Sequence, residues 1–391
     1  MLHAWLQPYY EQFVNTLLQG RLPNSIIISG HEGLGGNALA LEMARFYLCH
    51  EPSASGPCGH CASCQAFMRL NHPDLRVAYS SNAEEASNDL DFTADLMGLL
   101  QRKESTTRRS LRVDTMRQIT EFLSQSAVSG GRGKVVIVEG AHLMSEGAAN
   151  AILKTFEEPN EHTLIIMLSN SLESLLPTIL SRATKIVLRD VPLEQSLSFL
   201  LDPQNQRPLL VHRLYGEESA AVAAEQDAMA SCEGLQTPIN QPRAEVALAL
   251  NSYAPLSAHK MLLLGDDLKA MAVVTAIVQY VQSQGGRGND HGIGVIEALK
   301  TLNKPLQSRL LSELILEVVK YKAYVSEDEL PLVRYGQAQV LQYLPLEHLF
   351  DAMDKLRFIE ERSPLVPSRA PIALVRAWLK ALCTLPLQYR S

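Results

Sequence analysis

The sequence predicts an α/β domain built on buried strands, followed by a stretch that is almost entirely helical. Three observations predict it. Ile26-Ile27-Ile28 runs into the glycine-rich turn Gly30-His31-Glu32-Gly33-Leu34-Gly35-Gly36-Asn37 and then into the helical pattern Ala38–Ala44, the strand–loop–helix order of a phosphate-binding loop. Lys134 to Glu139 is a second buried strand pattern, apolar through Val138 and ending in an acid. Beyond about Leu268, apolar residues recur near a 3.6-residue period, as helices require.

The loop is incomplete. A phosphate-binding loop reads G-x-x-x-x-G-K-[ST]. Gly30 and Gly35 hold the glycine positions, but Gly36 stands where the lysine belongs and Asn37 where the hydroxyl residue belongs. Backbone N–H groups at the helix start still attract anions. Without the ammonium on the β/γ-phosphates and the hydroxyl on Mg²⁺, nucleotide binding and phosphoryl chemistry lose two main supports. The competing reading of this stretch alone is an ordinary glycine-rich αβ turn.

With 391 residues the chain has room for two or three domains. An apolar content of 46% and a charged content of 20% fit a globular protein. The formal net charge of −7 opposes wholesale coating of nucleic acid. Met1-Leu2-His3-Ala4-Trp5 lacks the basic start and apolar core of a signal peptide. Nothing approaches the roughly 18 uninterrupted apolar residues of a membrane span. The expectation is a cytoplasmic protein with no membrane contact.

Cysteine usage agrees. Of six cysteines, Cys49, Cys58, Cys61 and Cys64 fall within sixteen residues as C-x8-C-x2-C-x2-C. In a reducing compartment such a cluster reads as a metal site rather than as disulfides. The tight C-x-x-C steps give the short chelate turns of tetrahedral Zn²⁺, and Cys49 supplies the fourth corner from the end of the helix after the loop. Gly59 and His60 ease the intervening turn. His60 is a rival ligand, although four thiolates already fill the shell. A thioredoxin-like redox reading is weaker, because those motifs do not come as overlapping pairs.

In chain order, Tyr9 to Leu18 is an amphipathic helix ended by Gly20. Gln65 to Leu70 continues as a helix after the cysteines, and Leu75 to Tyr79 is a strand. Ser80 to Ser110 reads as an insertion, acidic first (Glu84, Glu85, Asp89, Asp91, Asp95) and basic later (Arg102, Lys103, Arg108, Arg109). It suits a solvated surface excursion better than a DNA contact. Val113 to Ser126 is a helix. At Glu139-Gly140 an ATPase of this layout carries an Asp for Mg²⁺ and a Glu for the attacking water. Here one carboxylate is lengthened and the other is absent. This second defect is independent of the first.

The segment Leu153-Lys154-Thr155-Phe156-Glu157-Glu158-Pro159 resembles the leucine–lysine–threonine–leucine–glutamate–glutamate–proline run of bacterial clamp-loader subunits. The next strand, Thr163 to Leu168, ends at Ser169-Asn170, where that family places its first sensor residue. Leu180-Ser181-Arg182-Ala183 matches the family's serine–arginine–cysteine signature, with alanine for cysteine. With both nucleotide motifs degraded and the serine–arginine pair kept, the chain resembles the delta-prime branch of the DNA polymerase III clamp loader. The likeness is strongest over residues 20–75 and 112–190.

The resemblance implies a RecA-like P-loop (AAA+) domain over 1–189 with a zinc module at 49–64, a helical lid over 190–267 and an all-α collar over 268–391. It implies that Arg182, set by Ser181, acts as an arginine finger in a neighbour's ATP site, an effect worth about 10³–10⁵ in rate. Alanine at position 183 alters packing only, since a buried Cys behaves as a small apolar residue. No ATP is expected in the chain's own site, where Gly30, Gly35, Gly36, Asn37, Glu139 and Gly140 are the degenerate positions. Zn²⁺ is the expected cofactor, structural in role. The expected partners are an ATP-binding motor subunit, the clamp-opening subunit, and the sliding clamp on primed DNA in the assembled complex. Glu157, Glu158 and Lys154 are assigned to ion pairing and capping at a helix end that Pro159 terminates.

Arg189-Asp190-Val191-Pro192 reads as a hinge, and Leu193 to Leu201 as a helix. The stretch from about Asp202 to Arg243 is rich in Gln, Pro and Ala and longer than lid helices need. Ala244 to Asn251 and Ala258 to Leu264 are helical. Neither Gly216-Glu217-Glu218-Ser219 nor Ala254-Pro255-Leu256-Ser257 supplies the second arginine that active relatives give to nucleotide. Helices are then expected over 268–283, 293–302, 306–325, 340–344, 346–361 and 372–385. Three functions compete: a non-hydrolysing clamp-loader subunit, a true ATPase with an unusual loop, and a zinc-dependent DNA-binding protein with a vestigial nucleotide fold. Gly36, Asn37 and Gly140 oppose the second. The acidic total and the lack of an aromatic–basic pattern oppose the third.

Overall fold

The computed structural model describes residues 2–21, 23–69, 71–78, 111, 113–130, 133–157, 160, 162–206, 233–282, 293–347, 349–351 and 353–354. The described residues fall into two compact units, the first ending at Val191 and the second beginning at Pro192. The insertion expected at 80–110, most of the 202–243 stretch and the helix expected at 372–385 lie outside the described residues.

In the first unit a 3₁₀ turn over Ala4–Leu6 leads into helix α1 (Gln7–Leu18), which buries Tyr10, Phe13 and Val14. Strand β1 (Ser25–Ser29) is buried throughout, and α2 (Gly36–Leu48) follows the loop. Helix α3 (Ala62–Met68) and strand β2 (Leu75–Ala78) come next. Helix α4 (Val113–Ser124) buries Met116, Ile119, Phe122 and Leu123, the spacing of one helical face. Strand β3 (Lys134–Val138), helix α5 (Glu146–Glu157) and strand β4 (Thr163–Ser169) precede helix α6 (Pro177–Arg182) and strand β5 (Thr184–Val187).

The five strands are all parallel, in the order β2-β3-β4-β1-β5. Such sheets are covered on both faces and read as continuous apolar runs, which is why β1, β3 and β4 are buried at every residue. The chain leaves β1 for the far edge, returns strand by strand to β4, then crosses to β5. Ligand crevices in such sheets lie at the carboxyl ends of the strands, beside this reversal.

The second unit begins with α7 (Leu193–Leu201) and continues through α8 (Gln241–Ala249), α9 (Pro255–Leu264), α10 (Asp266–Gln282), α11 (Ile293–Lys300), α12 (Lys304–Lys322) and α13 (Pro331–Gly336). Its core holds Val246, Leu248, Leu262, Val273, Ile277, Leu310, Leu314 and Leu332.

The structure departs from sequence expectation at five elements. The segment after the cysteines turns helical at Ala62 rather than Gln65, because the Cys61 sulfur accepts from the Cys64 N–H and caps the helix. Helix α6, strand β5 and helix α13 were not expected, being four to six residues long with little periodicity to read. The helix expected at 340–344 is a 3₁₀ run over Ala338–Tyr343. The helix expected at 346–361 is helical wherever it is described, at residues 346–347, 349–351 and 353–354.

Candidate functional site

The cysteine module is the best-defined site. Cys49 ends α2, Cys61 caps α3, and all four sulfurs lie within 4.8 Å of one another. The Cys58 and Cys64 sulfurs are 4.0 Å apart. A disulfide needs about 2.05 Å, whereas four sulfurs at 2.3 Å from one tetrahedral ion stand about 3.8 Å apart. The donor set therefore fits Zn²⁺. A run of amide donors orients the sulfurs: Cys58 N–H donates to Cys49 Sγ (3.3 Å), Cys61 N–H to Cys58 Sγ (3.4 Å) and Cys64 N–H to Cys61 Sγ (3.4 Å). Gly59 makes the turn at φ +79, a conformation that side chains resist.

Burial pushes the Cys49 and Cys64 thiols up in pKa. At Cys58 burial acts in the same direction, but backbone donors from Cys61 and His60 outweigh it and pull the thiol down to about 6. A bound dication would supply the charge that the two buried thiolates need.

The module is keyed to the sheet. Ser63 Oγ donates to Leu48 O (2.6 Å) and lies 2.9 Å from His72 Nε2, so Nε2 carries the proton in that contact. His72 Nδ1 then accepts from the Asp74 N–H at 3.1 Å. Burial pulls this imidazole down to about 4. Asp74, fully buried just before β2, accepts from the Val128 and Ser129 amides at 2.8 Å each.

The glycine loop leaves the carboxyl end of β1. Gly35 caps α2 at φ +98. A Cβ on Gly30 would meet Leu188 Cβ at 3.0 Å, and one on Gly36 would meet Leu168, Ile28 and Leu188 at 3.5–3.6 Å. Position 36, where a phosphate-binding lysine would stand, is thus faced by apolar side chains. Leu34 is buried, and its carbonyl accepts from Trp5 Nε1 at 2.9 Å. His31 Nε2 lies 3.0 Å from Asp190 Oδ1. Trp5 and Asp190 carry no motif, and sequence reasoning did not link them to the loop. Asn37 is half-buried.

Glu139 follows β3 and is buried, its amide donating to Ala78 O at 2.7 Å, and Gly140 turns at φ +71. Ser169 ends β4 opposite Ser29 in register. The loop, the Glu139-Gly140 pair and Ser169-Asn170 therefore leave the sheet at the same edge.

Arg182 lies at the other edge. It ends α6, and Ser25 Oγ at the start of β1 donates to its carbonyl at 3.0 Å. Its guanidinium donates to Thr178 O (3.0 Å) and reaches Ser181 Oγ (3.5 Å), and Nη2 lies 3.0 Å from Glu157 Oε1. Ser181 Oγ donates to Thr178 O at 3.0 Å. Ala183 packs against the core beneath α5 and α6. Glu158 and Pro159 lie outside the described residues, as does the side chain of Lys154.

The second unit holds a buried ion pair that the sequence did not announce. Arg243 Nε lies 2.7 Å from Asp267 Oδ2, and Nη2 lies 3.0 Å from Oδ1. The guanidinium also donates to the carbonyls of Gly234, Thr237, Pro238 and Leu262. Among the described residues, no helix is long and apolar enough to cross a membrane.

A family model described as "DNA polymerase III, delta subunit" matches residues 6–192. DNA polymerase III subunit delta' of Escherichia coli K12 is 32% identical over 198 residues, 51% of this chain and 52% of that protein. The Pseudomonas aeruginosa PAO1 protein of the same name is 32% identical over 234 residues, 55% of this chain and 62% of its own. The chain thus spans about half to three-fifths of the length of these curated relatives. A solved Thermotoga maritima structure, described as a DNA polymerase III gamma subunit-related protein, aligns over 96% of this chain and 99% of its own at 16% identity and TM-score 0.43. Over residues 6–192 the chain is thus similar to DNA polymerase III delta and delta' subunits.

Proposed function

We propose that the chain is a non-hydrolysing subunit of a clamp loader, which completes a neighbouring subunit's ATP site and holds no ATP in its own. The observation that carries this reading is the placement of Arg182. In parallel register Ile26 pairs with Thr184 and Ser29 with Val187. Arg182 therefore precedes the amino end of β5, while the loop follows the carboxyl end of β1. Five residues of strand separate the two edges by about 16 Å, too far for this guanidinium to serve this loop. A finger so placed is built to act in trans.

The loop supports the other half of the reading. Leu188, Leu168 and Ile28 face position 36, so no cation stands ready for β/γ-phosphates there, and Glu139-Gly140 offers one carboxylate where Mg²⁺ chemistry uses two. The neighbour would contribute the nucleotide, its Mg²⁺ and the water. Arg182 would place positive charge on the transferring phosphoryl group as its charge develops. Ser181 would fix the turn from which it reaches. Hydrolysis there would be coupled to closing the sliding clamp on primed DNA in the bacterial cytoplasm.

In this assignment Cys49, Cys58, Cys61 and Cys64 hold a structural Zn²⁺ that closes the turn between α2 and α3. The α/β domain over 1–189 is followed by a lid over 190–267 and a collar over 268–391, and the motor and clamp-opening subunits dock on the first and last of these.

The test is clamp- and primed-DNA-stimulated ATP hydrolysis by the complete loader, with Arg182→Ala against the unmodified chain and assembly checked by sizing. Turnover at the completed site falls by about 10³-fold or more. An unchanged rate with assembly intact reduces the chain to a scaffold.

A further inference from the structure

Beside the four-cysteine cluster lies a second set of donors that the structural zinc does not use. Glu51, Cys58 and His60 each bring one ligand atom within 4.8 Å of the others. Cys58 belongs to both sets. The two sets differ in accessibility: Cys49 and Cys64 are buried, whereas the side chains of Glu51 and His60 are 74% and 75% exposed.

A backbone contact orients the histidine. His60 Nδ1 lies 2.9 Å from the Cys58 carbonyl, an acceptor only, so Nδ1 carries a proton in that contact. Nε2 is therefore the ring nitrogen available to ligate a cation. That nitrogen stands 3.6 Å from Glu51 Oε2, a second acceptor, with the Cys58 sulfur as a third. Zinc-ligating histidines have this arrangement, the far ring nitrogen donating to a backbone carbonyl. Gln65 Nε2 donates to His60 O at 3.2 Å and steadies the turn. Three acceptors converging on one point in water suit a cation held briefly, not one held for good.

A closed tetrahedral thiolate site offers an arriving ion no open position. The ion must begin in an incomplete shell on the exposed side. We propose that Glu51, His60 and Cys58 form the port through which the four-cysteine site takes up and gives back its Zn²⁺. The ion first binds the Glu51 carboxylate, His60 Nε2 and the Cys58 sulfur. It keeps the Cys58 bond while Zn–S bonds form to Cys61, Cys64 and Cys49 and the Zn–O and Zn–N bonds break. Thiol protons pass to water, and carboxylate and imidazole return to solvent unchanged. Release follows the same steps in reverse.

This inference rests on reading the four cysteines as a zinc site, and the test separates the two. The zinc-loaded full-length chain is mixed with the chromophoric chelator 4-(2-pyridylazo)resorcinol, and Zn²⁺ release is followed in the unmodified chain and in Glu51→Gln/His60→Gln. Recapture is followed by adding Zn²⁺ back, and affinity by equilibrium competition. Both rates fall about tenfold in the double variant, the size of one lost charged contact, while one zinc per chain and its affinity within twofold are retained. Equal rates at full zinc content overturn the port and leave the zinc site standing. A loss of equilibrium affinity makes Glu51 and His60 resident ligands and overturns it too. An unmodified chain without zinc overturns the site itself. Lys185→Gln, remote in sequence from the module, is the control and leaves both rates unchanged.

Discussion

The guanidinium of Arg182 rests 3.0 Å from the carboxylate of Glu157 in its own chain, with the Thr178 carbonyl on its other side. The side chains are 37% and 51% exposed, so solvent screens the attraction, and pairs of this kind contribute less than about 1 kcal/mol. The contact orients the arginine at little cost to breaking it.

Glu157→Gln therefore lowers the unfolding free energy by less than about 1 kcal/mol. Urea denaturation checks this. A loss of several times that size would make the pair part of the fold rather than a rest position.

Cys64→Ser abolishes stoichiometric zinc. It also removes a sulfur buried against α2 and α3 and costs about 3 kcal/mol or more, since metal binding at such sites is coupled to folding. Metal content and thermal unfolding of the purified chain are the readouts. Full zinc with unchanged melting would move the fourth ligand to His60.

Asp267→Asn leaves the Arg243 guanidinium buried with half its anchor and destabilises the second unit by about 3–5 kcal/mol. Arg243→Met strands the carbonyls of Gly234, Thr237, Pro238 and Leu262 and costs a similar amount. The double variant Arg243→Met/Asp267→Leu costs less than the sum, because neither charge remains alone. Simple additivity in denaturant melts would contradict the pairing.

Glu317 is buried on α12 and accepts from the Val333 N–H at 3.0 Å, and burial lifts its carboxyl to about 7 from the usual 4.5. The folded state therefore binds more protons than the unfolded state between those values. The stability this gives is complete below pH 4.5 and is lost as the pH rises through 7. Glu317→Gln keeps an acceptor for Val333 and carries no titration. Relative to the unmodified chain, it gains about 2–3 kcal/mol between pH 5 and pH 8. A gain independent of pH would assign the effect to packing.

The sheet and the cysteine site were legible because both are written in contiguous sequence. Three isoleucines before a glycine turn, an apolar run at 135–138 and two overlapping C-x-x-C steps each state their geometry locally. What was not legible depends on distance along the chain. Trp5 reaches Leu34 across 29 residues, His31 reaches Asp190 across 159, and Arg243 reaches Asp267 across 24. None of these pairs has a periodicity or motif, and only the packed fold selects them. Strand β5 escaped for another reason. Its residues are largely exposed, so the hydrophobic pattern that marks a central parallel strand is missing.

That exposure has its own consequence. Among the described residues β5 is an outer strand of the sheet, with one row of backbone donors and acceptors turned away from β1. Open rows of this kind recruit strands from other molecules and seed aggregates. The defence here is brevity and charge: four residues, with exposed Lys185 among them. A second copy that paired along this edge would stack lysine near lysine. The outer strand that follows Arg182 thus carries a safeguard for solubility.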